Sequence, residues 1–278
     1  MYIMKTIIHV WTHEFNINKE HLLKYNYLNE SEFYFGLGDL IRSTIQLYEL
    51  SKNMNFNLII DLQHHPISSF LEIQKTKYSN YVLDNKNNVD YVCYGALEDY
   101  INETKKDISL ILTNDFFNGT ISNDCKEFIK NLLKPTKEYQ EYINYLMSSV
   151  SFKDNYNVIH YRLNDDEFKN KGSSKDLSFL NNITNSLNKN KDDNDILITD
   201  SLLFKEFAFL NTDIFTFDTK VCHLGLSKDY YGVRDTLFEF ILLTCAKKIK
   251  TYCKIHSVSG FVNWISKVYD IPIIILKD

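Results

Sequence analysis

The residue types with the most chemical reach meet in one stretch, Asn157-Val158-Ile159-His160-Tyr161-Arg162-Leu163-Asn164-Asp165-Asp166. Its apolar start reads as a short buried strand, which ends among His160, Arg162 and Asp165. Ligands of α/β domains sit at the carboxyl ends of strands, so polar residues placed there are site candidates. Arg162 can grip a diphosphate through two parallel hydrogen bonds, and Asp165 can hold that guanidinium or bind a ligand hydroxyl. The same residues also fit a plain surface ion pair. Arginine is scarce: of 31 Lys and Arg residues only Arg42, Arg162 and Arg234 are arginine. Codon bias accounts for that scarcity as well as a need for a bidentate donor does.

Three further strand ends carry polar turns. Gly36-Leu37-Gly38-Asp39 precedes a helical pattern. Its glycines let backbone N–H groups approach a phosphate or sugar at a helix start. It lacks the third glycine of a dinucleotide fingerprint and the Lys-Ser/Thr of a P-loop, so an ordinary tight turn is an equal reading. In Thr199-Asp200-Ser201, Asp200 suits a ribose or base contact, or a helix cap. Ser257-Val258-Ser259-Gly260-Phe261 sets two hydroxyls and several N–H groups at a helix start, either a phosphate cradle or a serine cap. His64-His65-Pro66 ends another strand, where loop histidines are either solvated or catalytic. His223 and His256 lack metal-ligand spacing. Asp193-Asn194-Asp195 precedes a strand and reads as solvated, and no GxSxG elbow is present.

The elements that position these turns alternate. Strand patterns fall on Lys5–Val10, Glu32–Phe35, Asn57–Leu62, Asp90–Tyr94 and Ile108–Thr113, with a helix after Gly38 to about Asn53. Residues 33–62 therefore predict a strand, glycine turn, helix and parallel strand. Helices follow over Asn123–Leu133, capped by Asn123 or Asp124, and Lys137–Met147. The second half predicts strands at Tyr156–Tyr161, Asp195–Thr199, Asp213–Phe217, Ile249–Cys253 and a buried Ile271–Leu276. Its helices are Leu177–Leu187, Leu202–Leu210, Asp235–Ala246 capped by Asp235, and Phe261–Tyr269. Polar residues 148–155 mark the expected boundary between an N-terminal Rossmann-like domain (1–150) and a C-terminal one (151–278).

The 278-residue length suits two such domains, and a hydrophobic fraction of 44% supplies their cores. A net charge of −5 argues against a general nucleic-acid partner. The five cysteines are odd in number and scattered, as expected of reduced thiols. The sequence shows neither a signal-peptide pattern nor a long apolar run. A cytoplasmic chain without a membrane span is the expectation.

The order of these motifs resembles the GDP-fucose-dependent fucosyltransferase superfamily, which includes α1,2-, α1,6- and protein O-fucosyltransferases. The likeness spans residues 33–62 and 156–270, and 63–150 resembles nothing identifiable. It implies a GT-B fold, two Rossmann-like domains facing across a cleft, and metal-independent, inverting transfer of fucose to a glycan acceptor. GDP-fucose would be the donor, with no cofactor. The family's HxRxxD motif falls on His160, Arg162 and Asp165, with Arg162 on the β-phosphate. Its later Asp falls on Asp200, near the guanosine, and its serine turn on Ser257, Ser259 and Phe261, around the phosphates. Its glycine turn falls on Gly36, Gly38 and Asp39. Asp39 and His65 are candidates, on position alone, for taking the acceptor's proton. The chain departs from the HxRRGD form of many members at Leu163 and Asn164 and spreads the Ser-Ser pair to Ser-Val-Ser-Gly. Two alternatives follow: a heptosyltransferase-like GT-B enzyme using another nucleotide sugar, which GLGDLIRSTIQL also resembles, or a non-catalytic nucleotide- or glycan-binding protein.

Overall fold

A computed structural model describes residues 4–11, 17–18, 36–73, 75–92, 95–115, 117–163, 177–220, 222–224, 229–254 and 258–277. The chain falls into two compact units, Met1–Thr136 and Lys137–Asp278.

The first unit is built on a five-stranded sheet in the order β2-β4-β5-β1-β3. Its strands are β1 (Thr6–Val10), β2 (Ile17–Asn18), β3 (Asn57–Asp61), β4 (Val89–Val92) and β5 (Ile108–Thr113). Every strand pair is parallel, with β1 between β3 and β5. Parallel strands are covered on both faces, and the side-chain alternation of β1 shows it. Ile8 and Val10 pack with Val82, Val89, Tyr91, Leu110 and Leu112. Ile7 points the other way, among Leu47, Phe56, Leu97 and Ile111.

Helix α1 (Leu37–Met54) covers that second face with Leu40, Ile41, Ile45 and Leu47 buried. Each such side chain contributes about 1.5–3 kcal/mol by leaving water. The helix ends at Asn55, whose φ of 55° lies in the left-handed region that asparagine tolerates. The chain then enters β3, which runs parallel to β1 with Thr6 opposite Asn57 and Val10 opposite Asp61. The helix and the following strand of the unit expected over residues 33–62 are thus present. The strand predicted at Glu32–Phe35 lies outside the described residues. Helices α2 (Ser79–Asp84) and α3 (Leu97–Glu103) were not legible as patterns, being too short to show a helical period. Helix α4 (Asn123–Leu132) is capped by Ser122, whose Oγ accepts from Cys125 N at 3.2 Å, and not by Asn123 or Asp124. Those two residues lie inside the first turn.

The second unit opens with helix α5 (Lys137–Met147). Tyr139 ties it to the unit's interior by donating to the Arg234 carbonyl at 2.5 Å. The sheet has four strands in the order β7-β6-β8-β9: β6 (Asn157–Arg162), β7 (Asp195–Thr199), β8 (Ile249–Cys253) and β9 (Ile273–Ile275). All pairs are again parallel. Ile159, Tyr161 and Leu163 pack with Leu180, Ile183 and Leu187 of helix α6 (Leu177–Asn190) and with Phe204 and Ala208 of helix α7 (Leu202–Asn211). Val158, His160 and Arg162 therefore project from the opposite face of β6.

Three expectations need correction. Asp213–Phe217 is not a strand; it makes one isolated bridge, Ile196 to Phe215. Helix α8 runs Tyr230–Cys245 and is capped by Asp229, which accepts from Gly232 N at 2.6 Å. Asp235 sits one turn inside, where its carboxylate accepts from Lys220 N at 2.9 Å and pairs with Arg234. The last strand is not buried: Ile274 and Ile275 on the edge strand β9 are 45% and 50% exposed. Helix α9 (Gly260–Tyr269) precedes it. Among the described residues no helix is long and apolar enough to cross a membrane.

Candidate active site

In the second unit, polar residues collect at the carboxyl ends of the neighbouring strands β6 and β7. Arg162 is the last residue of β6, and Asp200 follows the last residue of β7 directly. Because β6 and β7 are neighbours in parallel register, with Tyr161 opposite Thr199, the two side chains meet. Arg162 Nε lies 3.2 Å from Asp200 Oδ2. Asp200 Oδ1 accepts from Leu163 N at 2.8 Å. One carboxylate thus holds both the guanidinium and the backbone step that follows it. On the other side the Arg162 carbonyl accepts from Lys254 N at 3.0 Å, just beyond β8. Arg162 is fixed from both neighbouring strands, and its side chain keeps 21% exposure. The ion pair through Nε orients the planar guanidinium at the strand end.

Asp200 does not cap α7. Ser201 does, its Oγ accepting from Phe204 N at 3.1 Å. His160 is 4% exposed, with Nδ1 at 3.1 Å from Thr251 Oγ1 on β8. Burial, reinforced by the neighbouring Arg162 charge, pushes its pKa down to about 3. A neutral imidazole packed inside the sheet supports the strand behind Arg162. Ser259 occupies the N-cap position of α9 and is buried. Its side chain makes no cap hydrogen bond there, and Asn263 N bonds to its carbonyl at 2.9 Å. Gly260 opens the helix, and among the described residues no atom lies within 4 Å of where its Cβ would stand. Phe261 is half-buried on the first turn. Asp165 and Ser257 lie outside the described residues.

In the first unit the candidate residues lie in two places, the start of α1 and the turn after β3. Gly36 and Gly38 open α1, and Gly38 is buried in its first turn. Asp39 Oδ2 accepts from Gly36 N at 3.0 Å, and Oδ1 accepts from Arg42 Nη2 at 2.9 Å. This is the back-reaching half of a capping box, with glycine supplying no side chain for the other half. Both carboxylate oxygens of Asp39 are engaged in holding the helix start. His65 is 2% exposed. Its Nδ1 accepts from Ile67 N at 3.1 Å, capping the short helical turn Pro66–Ser69. Its ring stacks on Trp11, centroids 4.0 Å apart and planes 10° apart. Trp11 N in turn donates to the Asp61 carbonyl at 3.4 Å.

The neighbouring histidine is placed differently. His64 Nδ1 stands 2.7 Å from Asp61 Oδ2, and its side chain keeps 17% exposure against 3% for Asp61. Asp61 ends β3, so the spacing that made this pair, three residues across a strand end, was present in the sequence. Nothing in it distinguished His64 from His65. Trp11, one residue past β1, was also passed over. Its signal was a large aromatic placed immediately after a buried strand.

Neither a family model nor a curated protein matches the chain. Solved structures do. The chain is similar to NodZ α-1,6-fucosyltransferase co-crystallised with GDP, at 14% identity and a TM-score of 0.53 over 94% of this chain and 91% of that one. It is similar to NodZ from Bradyrhizobium at 13% identity and a TM-score of 0.52, over 94% and 92% of the two chains. A mutant of Arabidopsis thaliana FUT1 in complex with GDP aligns at 10% identity and a TM-score of 0.51, over 97% of this chain and 69% of that one. The chain has the α/β fold of these fucosyltransferase structures, with two parallel sheets.

Proposed function

We propose that this chain is a glycosyltransferase that moves fucose from GDP-fucose to a hydroxyl of a glycan acceptor, inverting the anomeric centre without a metal ion. The observation that carries the reading is Arg162, held by Asp200 at 3.2 Å where the neighbouring strands β6 and β7 end, on a fold shared with proteins solved with GDP. As the glycosyl–oxygen bond breaks, negative charge grows on the departing diphosphate. A fixed guanidinium is worth most against such developing charge, because it needs no reorganisation when the charge appears. The start of α9, which follows β8 in the same sheet, adds N–H groups and a helix dipole. In this reading His160, Asp165, Ser257, Ser259 and Phe261 complete the binding of GDP, Gly36 and Gly38 at the start of α1 serve the donor sugar, and the first unit carries the acceptor side.

The test is thermal stabilisation by GDP, GDP-fucose and ADP, for the wild type and Arg162→Ala. A ligand at about 100 times its Kd stabilises by about 2.7 kcal/mol. Stabilisation by GDP that the variant loses, with GDP release from GDP-fucose, supports the reading. A preference for ADP points to another nucleotide sugar, and GDP binding without turnover points to a non-catalytic binding protein.

A further inference from the structure

A diphosphate is a multiply charged anion, and the pair described above does not balance it. Arg162 and Asp200 stand 3.2 Å apart, so together they bring no net charge to the ends of β6 and β7. The next residue of the chain, Leu163, is 2% exposed in the apolar core and adds none. The other neighbour of β6 in the sheet is β8, and the residue directly after β8 is Lys254. We propose that Lys254 is the second cation of this site and binds the diphosphate of the nucleotide sugar beside Arg162. This rests on the glycosyl-transfer reading above.

The backbone fixes the two cations to each other. Lys254 N donates to the Arg162 carbonyl at 3.0 Å, and Arg162 stands opposite Cys253 in the parallel register. Neighbouring strands lie about 4.8 Å apart, so the two side chains leave the same end of the sheet from adjacent positions. They leave towards opposite faces. Tyr252, two residues before Lys254, packs with α6 and α7, and Lys254 follows it to that side. Its Nζ lies 4.7 Å from the ring centroid of Phe179 in the first turn of α6. Arg162 projects from the other face of β6. An anion seated over the strand ends is thereby met by a guanidinium from one face and an ammonium from the other.

Lys254 is also placed to move. It is exposed, and among the described residues no carboxylate pairs with it. Lys250, on the same strand, is instead buried and tied to Asp195 at 2.8 Å. An aromatic face holds an exposed cation weakly, and the flexible four-carbon stem of lysine lets Nζ swing from the ring to a phosphate oxygen. Its charge, unmatched by an acid, turns a neutral pair into a positive site. The same charge opposes the negative charge that grows on the departing diphosphate as the glycosyl bond breaks.

The experiment measures the Kd of GDP by calorimetry, at low and at high salt, for the wild type, Lys254→Met, Lys254→Gln and Lys254→Arg. Methionine keeps an apolar stem on Phe179 and removes the charge, so its ligand-free melting temperature is expected to match that of the wild type. The expected result is a Kd about tenfold higher in both neutral variants and close to the wild-type value in Lys254→Arg. The dependence of Kd on salt is expected to be shallower without the charge, which a merely structural lysine would not change. If the wild type binds GDP and the neutral variants bind it equally well, or bind it less well with the same salt dependence, the assignment of Lys254 is overturned while the transferase reading stands. If the wild type neither binds GDP nor releases it from GDP-fucose, the reading falls and the assignment with it.

Discussion

Arg162 and Asp200, 38 residues apart in the chain (200 − 162), stand 3.2 Å apart because β6 and β7 end side by side. Asp200 also accepts from Leu163 N, so removing its carboxylate disturbs both a side chain and a buried backbone donor. Asp200→Ala is expected to lower stability by about 1–3 kcal/mol, the cost of an unsatisfied buried donor, and to weaken GDP binding by releasing Arg162. Asp200→Asn keeps an acceptor for Leu163 N and is expected to lose less stability, while still loosening the guanidinium. Thermal melts with and without GDP separate the two effects. A loss of stability in Asp200→Ala with unchanged GDP binding would remove Asp200 from the site.

The two adjacent histidines are expected to differ in what they cost. His65→Ala removes the acceptor for Ile67 N and the ring stacked on Trp11. About 2–3 kcal/mol of stability is expected to be lost, combining an unsatisfied donor with an aromatic contact. His64→Ala, at a half-buried position, is expected to lose less than half of that. Urea midpoints of the two variants check the contrast, and equal losses would contradict the structural division between them.

Much of the architecture was legible in the sequence because parallel strands buried on both faces write continuous apolar runs. Ile108–Thr113, Asp195–Thr199 and Ile249–Cys253 stand where they were read. Errors fell where two residues of one type compete locally. Asp229 and Asp235 both suit a helix start, and only the bond to Gly232 N decides for Asp229. Ile273–Ile275 is apolar enough for a core strand, yet it lies on the sheet edge, a matter of strand order that no local pattern carries. Arg162 was visible from its type and place, but its clamp by Asp200 depends on which strands are neighbours. His64 and His65 look alike in the sequence. Stacking and solvent exposure separate them, and both are tertiary.

Acid is expected to destabilise the fold through two buried histidines. Burial lowers the pKa of His9 from 6.5 to about 4, the Thr113 backbone opposing the shift, and that of His160 to about 3. The folded chain keeps both rings neutral while the unfolded chain protonates them near pH 6.5. Stability is therefore flat above about pH 6.5, falls as pH drops below it, and levels off for each group once its folded pKa is passed. Each histidine contributes a loss on the order of 3 kcal/mol across its window. Denaturant unfolding between pH 7.5 and 4 checks this, and His9→Leu is expected to reduce the slope. A slope unchanged in His9→Leu would show that other groups carry the acid sensitivity.

Asp39 is expected to behave as a helix-start residue. Asp39→Ala removes the acceptor of Gly36 N and the partner of Arg42, a loss of about 1 kcal/mol. Asp39→Asn keeps the acceptor and is expected to recover part of it. If turnover of GDP-fucose falls by orders of magnitude in Asp39→Asn while the melting temperature holds, Asp39 has a chemical role that its bonding pattern does not reveal.

Between α7 and α8 lies a buried ionic knot whose energetics can be dissected. Lys205 Nζ donates to the Thr219 carbonyl at 3.1 Å and to Thr219 Oγ1, and stands 3.6 Å from Glu239 Oε1. Thr219 Oγ1 donates to that same carboxylate oxygen at 2.6 Å. Desolvation raises the Glu239 pKa, and the Lys205 charge opposes the rise. Removing Lys205 alone takes away that opposing charge, so Lys205→Met is expected to cost about 3–5 kcal/mol. Glu239 would then bind a proton at higher pH, making this variant relatively more stable in mild acid than the wild type. Replacing both, Lys205→Met with Glu239→Leu, removes the buried charges together and is expected to recover most of the loss. Chemical denaturation of the two singles and the double closes the cycle. Simple addition of the single losses would mean that the pair is not coupled across the 3.6 Å that separates them.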